Sequence, residues 1–182
     1  MQEDLSRTLI HTTTIFARLD ELATQITDDY QGKELTVLAI MSGSLMFGAD
    51  LLRRIPLPLR ITCLSVSSYH GGTTSSGHVT FHQAAFPDLH GRHVLILDDI
   101  LDTGLTLQTI REKLRRETSP LSMKICVLLR KNIPERHGID ADYVGFDIAN
   151  EFVVGYGLDY QEKYRNLPYI GVLRQEVAAM EL

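Results

Sequence analysis

Apolar residues along the chain follow two patterns, one typical of helices and one typical of buried strands. Ile15, Leu19, Leu22 and Ile26 recur every three or four residues and are followed by Gly32, which predicts a helix that ends near the glycine. A continuous apolar run at residues 35–41 predicts a strand that is covered on both faces. Further strands are predicted at residues 59–67, 94–97 and 123–129. Further helices are predicted at residues 45–52 and 105–116. Because strands and helices alternate, we expect an α/β fold with a central parallel sheet flanked by helices.

The pattern changes in two parts of the chain. Residues 69–90 open with Gly, Thr and Ser, and a loop of this length in a compact domain is usually a lid or a disordered segment. His70, His78 and His82 lie in this segment, but no carboxylate or cysteine stands at ligand spacing, which disfavours a metal site. After Lys131, short strands are predicted near residues 143–146, 152–154 and 169–173.

The composition is that of an ordinary soluble globular protein. Hydrophobic residues make up 44% of the 182 residues and charged residues 23%, and the formal net charge of -5 argues against a generic nucleic-acid binder. The apolar segments are too short to span a membrane and no stretch resembles a signal peptide, so we expect a cytoplasmic protein. Cys63 and Cys126 lie in apolar runs without C-x-x-C spacing, which predicts two buried thiols in a reducing compartment.

The segment VLILDDILDTGLTL, residues 94–107, contains the strongest candidate for chemistry. An apolar run leads into Asp98, Asp99 and Asp102, and charges this close repel one another unless a cation or hydrogen bonds compensate them. Residues 103–106 offer backbone N–H groups and hydroxyls at a helix N-terminus, where phosphate groups bind. Neither GxxxxGK[ST] nor GxGxxG occurs in the chain. The segment therefore predicts a phosphate site beside carboxylates that hold a ribose, Mg²⁺ or a cationic transition state.

This segment closely resembles the 5-phosphoribosyl-1-pyrophosphate (PRPP) signature of type I phosphoribosyltransferases. FVVGYGLDYQEKYRNLPYIG, residues 152–171, resembles the C-terminal block of the hypoxanthine-guanine subfamily, and LLRK ending at Lys131 and SSY ending at Tyr69 match it too. The resemblance implies the type I phosphoribosyltransferase fold, a central parallel sheet flanked by helices with a small hood region. It implies a single domain over residues 1–182, with a mobile lid at about residues 69–90 and base-binding hood elements at about residues 131–182.

The resemblance also implies the reaction of that subfamily, which serves purine salvage. The 5-phosphoribosyl group of PRPP would pass to hypoxanthine or guanine with Mg²⁺ as cofactor, giving IMP or GMP and pyrophosphate. The same resemblance implies a cytoplasmic homodimer or homotetramer, with no nucleic acid and no membrane among its partners.

The family pattern assigns the site residues by position. Asp102 matches the acid that acts as general base on N7 of the purine, and Lys131 matches the lysine that donates to the oxygen at C6. Asp98 and Asp99 match the acid pair that holds the ribose hydroxyls and Mg²⁺, and Asp159 matches a further Mg²⁺ ligand in the purine-binding part of the site. The remaining matches are Thr103, Gly104, Leu105 and Thr106 for the PRPP 5′-phosphate, Phe152 and Val153 for the purine, Ser42, Gly43 and Arg165 for pyrophosphate, and Ser68 and Tyr69 for the start of the lid.

Two positions depart from the family pattern. Asp98 stands where the subfamily often has Glu, so its contact with the metal is expected to run through water. Ser42 stands where Lys or Arg is usual, which removes a positive contact to pyrophosphate and leaves the backbone N–H groups of residues 42–44 for that role. Family members often have a cis peptide in this loop, so we expect one between Met41 and Ser42.

Three other assignments fit the sequence less well. Adenine phosphoribosyltransferases usually lack the acid found here at Asp102, and short bacterial xanthine-preferring enzymes carry tryptophans in the base site, whereas this chain has no Trp. Transcription or RNA-attenuation regulators with the same fold tend to add a nucleic-acid-binding domain or a basic surface. Neither feature is visible in this sequence.

Overall fold

The computed structural model describes residues 1–68, 79–82, 86–134 and 137–179. The strands in these residues are β1 (Leu5–Ile10), β2 (Leu35–Met41), β3 (Leu59–Ser68), β4 (Val79–Phe81), β5 (His93–Leu101), β6 (Ser122–Lys131), β7 (Tyr143–Ile148), β8 (Val153–Val154) and β9 (Ile170–Leu173). The helices are α1 (Thr12–Tyr30), α2 (Leu45–Leu52), α3 (Leu105–Thr118) and α4 (Gln175–Ala178). No helix in these residues is long and apolar enough to cross a membrane.

Six strands form the main sheet in the order β4-β3-β2-β5-β6-β7. All neighbours in it are parallel except β4, which runs antiparallel to β3. The strands β2 and β5 lie at the centre, and the helices α2 and α3 form the crossovers from β2 to β3 and from β5 to β6. The predicted α/β fold with a central parallel sheet is confirmed.

Two apolar cores cover the two faces of this sheet. Successive strand residues point to opposite faces, so Val37 of β2 packs with α1 and α2 whereas Leu38 packs with α3. The predicted stripe of α1 is buried as expected, with Ile15 and Leu19 fully inaccessible to water. Burying each large apolar side chain stabilises the fold by about 1.5–3 kcal/mol before the conformational entropy of the ordered chain is subtracted.

A second, three-stranded sheet has the order β1-β9-β8 and is antiparallel. Leu5 pairs with Leu173, and both belong to a small separate core that includes Val154 and Leu167. The predicted C-terminal strands are present here as β8 and β9, and the N-terminal strand β1 joins them. Of the residues 131–182 that were expected to form hood elements, β8 and β9 lie in this sheet whereas β7 lies in the main sheet. We call the three-stranded sheet and the loop between β8 and β9 the hood.

Several details differ from the prediction. The strand expected at residues 94–97 continues to Leu101 because β6 pairs with it as far as Leu101↔Arg130, so Asp98 and Asp99 lie within the strand and not after it. Cys63 was expected to be buried but is exposed, as is Ile61 on the same face of β3, and neither cysteine forms a disulfide. Residues 79–81 of the expected lid form β4, while residues 69–78 and 83–85 of it lie outside the described residues.

Candidate active site

A cavity of about 800 Å³ opens at the carboxyl edge of the main sheet, where β2, β3 and β5 end. Clefts at this edge are where open α/β sheets bind their ligands, because loops and helix N-termini converge there. The cavity is lined by residues 40–43, 65–67, 82, 98–107, 159, 162 and 165.

Two adjacent carboxylates lie in this cavity at the end of β5. Asp98 is 8% exposed, and its Oδ1 accepts a hydrogen bond from the backbone N–H of Asp99 at 3.0 Å. Burial and the neighbouring Asp99 charge raise the pKa of Asp98 well above its usual 3.8, and burial also raises the pKa of Asp99. Burial is the main cause of both shifts, because the charged forms lose the solvation that they would have in water. The pair is therefore suited to a ligand that brings hydroxyl groups or a cation.

The loop between β5 and α3 presents backbone donors to the cavity. Gly104 has φ of 85°, and a side chain at this position would approach Cγ2 of Ile139 to 2.4 Å, so the turn requires glycine. The first helical hydrogen bond runs from Gln108 N–H to the Gly104 carbonyl at 2.9 Å. The N–H groups of residues 105–107 therefore precede the helical ladder and can bind an anion, with the helix dipole adding to the attraction.

Asp102 and Lys131 form an ion pair beside the cavity. The register of β5 and β6 places Leu101 opposite Arg130, so the next residues of the two strands meet. Lys131 Nζ lies 2.7 Å from Asp102 Oδ2, with the lysine side chain 13% exposed and the aspartate side chain 47% exposed. A donor and an acceptor are thus held side by side at one wall of the site.

The loop that follows β2 is packed between the acid pair and the hood. The Met41–Ser42 peptide bond is cis, which confirms the prediction. A Cβ on Gly43 would lie 1.8 Å from Asp99 Oδ2, and a Cβ on Gly157 would lie 2.1 Å from the Gly43 carbonyl oxygen. This close packing leaves no room for a side chain at either glycine and sets the backbone of the loop against the cavity.

The hood contributes a second ion pair to the cavity. Arg165 contacts Asp159 at 2.8 Å and Glu162 at 3.4 Å, and its Nη1 donates to the carbonyl of Gly157 at 2.8 Å. Asp159 also accepts from the backbone N–H of Glu162 at 2.9 Å. These contacts fix the arginine beside the acid pair, where its charge lowers the pKa of Asp99 against the effect of burial.

Comparison with known proteins identifies the family of this site. Residues 7–161 match the model of the phosphoribosyl transferase domain. Hypoxanthine-guanine phosphoribosyltransferases of Staphylococcus aureus and Streptococcus pneumoniae are 47% and 45% identical over 177 residues, covering 97% of this chain and 98% of each relative. A crystal structure of a Staphylococcus aureus hypoxanthine phosphoribosyltransferase has a TM-score of 0.92 at 46% identity, covering 99% of this chain and 97% of that chain. The chain belongs to the hypoxanthine-guanine phosphoribosyltransferase family.

Most of the residues that the family pattern assigns to PRPP are brought together in this phosphoribosyltransferase. The predicted residues that line the cavity are Ser42, Gly43, Asp98, Asp99, Asp102, Thr103, Gly104, Leu105, Thr106, Asp159 and Arg165. Lys131, Phe152 and Val153 do not line it, although Lys131 contacts Asp102, which does. Phe152 is 47% exposed and packs edge-to-face on Tyr160 with ring centroids 5.5 Å apart, while Val153 is buried in β8. Ser68 ends β3, and Tyr69 lies outside the described residues.

The predicted Mg²⁺ ligands do not form a preassembled metal cage. Among the described residues, no three His, Cys, Asp or Glu side chains are placed to hold a metal ion, and Asp159 is engaged by Arg165. In such enzymes Mg²⁺ usually takes one or two carboxylates and completes its shell with water and substrate phosphates. The carboxylate oxygens of Asp98 and Asp99 fit that kind of binding.

Four residues with polar side chains line the cavity but were not assigned as site residues from the sequence. They are Ser65, Ser67, His82 and Glu162. The alternation of Ser65 and Ser67 with the partly buried Val66 is a signal that one face of β3 is polar. His82 was considered from the sequence only as a metal ligand, because its place in the cavity depends on the pairing of β4 with β3.

Proposed function

We propose that this enzyme transfers the 5-phosphoribosyl group of PRPP to hypoxanthine or guanine in a Mg²⁺-dependent reaction. The products are IMP or GMP and pyrophosphate, and the enzyme acts in cytoplasmic purine salvage. The names of the curated relatives support the substrate pair.

The observation that carries this proposal is the pair formed by Asp102 and Lys131. In a 6-oxopurine, the oxygen at C6 and the N7 atom lie on the same edge of the base. An ammonium group donates to the oxygen, and a carboxylate accepts the proton at N7, so the two side chains 2.7 Å apart match that edge. Adenine carries a donor at C6, which Lys131 would repel. Hypoxanthine and guanine share the matching edge.

The cavity supports the handling of PRPP. The N-terminus of α3, with residues 103–106, binds the 5′-phosphate, and Asp98 and Asp99 accept hydrogen bonds from the ribose hydroxyls. As the bond from C1 to pyrophosphate breaks, positive charge develops on the ribose ring. The same two carboxylates stabilise that charge without reorganising, which is the main source of rate in sites of this kind.

The other end of PRPP lies toward the loop after β2. The backbone N–H groups of Ser42 and Gly43 and the side chain of Arg165 bind pyrophosphate in this proposal. Asp98 and Asp99 would hold Mg²⁺, with Asp159 completing the predicted set. When bound, the ion supplies positive charge that neutralises the leaving pyrophosphate. Asp102 meanwhile takes the proton from N7 as the base becomes bonded to the ribose.

We also propose that the enzyme is a homodimer or homotetramer. Leu45 and Met46, in the first turn of α2, are 49% and 37% exposed, and they follow directly on the loop of the cavity. Contiguous exposed apolar surface marks interaction sites, and in this proposal the two side chains form part of such a surface at the subunit interface. Light scattering after size-exclusion chromatography would give the mass, and a monomer at micromolar concentration would contradict this part of the proposal.

An ultraviolet assay tests the function directly. The enzyme is incubated with PRPP and Mg²⁺ and is offered hypoxanthine, guanine, xanthine and adenine separately. Nucleotide formation with hypoxanthine or guanine and none with adenine is expected from the donor and acceptor of Lys131 and Asp102. Turnover of adenine, or no turnover of any base despite measurable PRPP binding, would overturn the proposal.

A further inference from the structure

His82 faces the cavity because of the pairing of β4 with β3. Val66 is opposite Phe81 in this antiparallel ribbon, and the backbone N–H of His82 donates to the Ser65 carbonyl at 3.1 Å, which continues the register by one residue. Directly opposed residues project to the same face of a sheet, so His82 shares a face with Ser65 and Ser67. Val66 and Phe81 point the other way and pack against the core beside α3.

The imidazole of His82 is held in place by a neighbour. Nε2 lies 2.9 Å from Ser67 Oγ, and both side chains line the cavity. This contact uses one ring nitrogen and leaves Nδ1 for a ligand. An oriented side chain at a cavity wall loses little conformational entropy on binding, so a hydrogen bond to it is effective.

His82 lies on the side of the cavity assigned to pyrophosphate in the proposed function. Met41 pairs with Ser65 across β2 and β3, so the loop at Ser42 and Gly43 begins next to the polar face of β3. The strand β4 is two strand spacings from β2, about 10 Å, which is within the extent of a bound PRPP molecule and its side-chain contacts. His82, Ser42 and Gly43 all line the same cavity.

Most of the charged side chains that line the cavity are negative, so a polyanionic ligand needs further hydrogen-bond donors on the pyrophosphate side. Five carboxylates line it, from Asp98, Asp99, Asp102, Asp159 and Glu162. Among the described lining residues the only Lys or Arg is Arg165, and it is already in contact with two of those carboxylates. Ser42 brings no positive charge where the family usually has Lys or Arg. A polyanionic substrate therefore meets few positive side chains beside the loop.

We infer that His82 is a further PRPP-binding residue of this enzyme, oriented by Ser67, whose ring donates a hydrogen bond to the pyrophosphate group and offsets the missing basic residue at position 42. This inference rests on the proposed function and adds a contact to it. It predicts that His82 matters for ligands that contain pyrophosphate and not for ligands that lack it.

The test compares two ligands that differ in that group. Titration calorimetry with Mg²⁺ present measures the Kd of PRPP and of IMP for the wild type and for His82→Leu, His82→Gln and, as a control, His90→Leu. His90 is exposed and does not line the cavity. For His82→Leu we expect the PRPP Kd to rise about tenfold, equal to about 1.4 kcal/mol, with the IMP Kd within twofold. Gln retains a donor and should recover most of the affinity, and His90→Leu should behave as wild type.

Two results would overturn the inference. One is an unchanged PRPP Kd in His82→Leu, and the other is an equal loss of PRPP and IMP affinity, which would indicate a general disturbance of the cavity. Thermal unfolding of each variant checks that the fold is intact. Wild-type turnover, measured alongside, separates this inference from the proposed function, because active wild-type enzyme with unaffected His82→Leu binding refutes only the role of His82.

Discussion

Lys131 Nζ and Asp102 Oδ2 lie 2.7 Å apart, at the ends of two adjacent parallel strands. Each side chain satisfies the other when no base is bound, so neither charge is left unpaired beside the cavity. A purine that offers an acceptor and a donor on one edge can replace this contact with two. In the proposed function, a base with the wrong edge would break the pair without compensation, so the pair would contribute to specificity as well as to binding.

Replacement of Asp102 by Asn should remove the base that acts on N7. Asn keeps the shape of the side chain and a hydrogen bond to Lys131, but it cannot take up the proton. We expect kcat to fall by about 10²–10⁴-fold while the Kd of PRPP changes less than threefold. Asp88→Asn is the matched control, because Asp88 is exposed and does not line the cavity. Near-normal turnover in Asp102→Asn would remove this residue from the mechanism.

Replacement of Lys131 by Met should weaken binding of the purine and leave binding of PRPP unchanged. Loss of a charged donor costs about 1.5–3 kcal/mol, so the KM of hypoxanthine should rise by about 10–100-fold. The preference for hypoxanthine over adenine should shrink, since the group that repels a 6-amino substituent is gone. Steady-state kinetics with both bases measure this change, and Lys33→Met, at an exposed position outside the cavity, serves as control. An unchanged preference would contradict the role given to Lys131.

Replacement of Gly43 by Ala should damage the site through its backbone. The added Cβ would lie 1.8 Å from Asp99 Oδ2, so the loop or the carboxylate must move. We expect at least a tenfold loss in kcat/KM for PRPP. Gly32→Asn is the control, because nothing lies within 4 Å of a Cβ at Gly32 and Asn tolerates its φ of 74°. Full activity in Gly43→Ala would show that the loop can shift without affecting PRPP.

The opposite edge of the sheet should give a pH-dependent contribution to stability. Asp29 Oδ2 lies 2.7 Å from Lys124 Nζ and accepts a hydrogen bond from Tyr143, and these contacts, Lys124 first, hold the pKa of Asp29 below its usual 3.8. A carboxyl with a lowered folded-state pKa stabilises the protein above the unfolded value and loses that contribution as pH falls through the folded value.

Asp29→Asn should therefore lower the free energy of unfolding at pH 7 by on the order of 1 kcal/mol. The difference from wild type should shrink as the pH falls below 3.8, the unfolded value, and through the lower folded-state pKa, because the carboxylate then loses its charge in the folded protein too. Urea unfolding at several pH values measures it. Asp28→Asn, one residue earlier on α1 and without these partners in the described contacts, is the control. A difference that persists unchanged at low pH would refute the charge-based account.

The sequence predicted the elements whose apolar residues follow a regular pattern, either a stripe along one face of a helix or a run along a strand that is buried on both faces. The bounds of β2 and α2 were predicted correctly, because residues 42–44 separate the two elements and Arg53 and Arg54 follow the helix. The strand β1 was missed since only Leu5 and Ile10 of its six residues are buried. The extension of β5 through Asp98 and Asp99 was missed because acids disfavour a strand by themselves, and only the pairing with β6 keeps them in one.

Site residues could be predicted where several of them are neighbours in the sequence. The segment from Asp98 to Thr106 carries acids, glycine and threonines in one run, so its position at the end of a strand could be read directly. The contact of Asp102 with Lys131 depends on strand register, 29 residues apart, and that of His82 with Ser67 depends on a short ribbon. Such contacts are set by tertiary structure, which a single sequence does not specify locally.

The pairing of β1 with β9 has a consequence for the order in which the enzyme is built. Ser6 Oγ donates to the carbonyl of Val172, 166 residues away. The small sheet therefore cannot form until β9, the last strand to be synthesised, is available to pair with β1, the first. The six-stranded sheet needs only residues up to Ile148 and can form on the ribosome first. The acid pair and the anion-binding loop would then precede the hood. We therefore expect that a nascent chain folds its main sheet first and cannot turn over substrate until translation is nearly finished.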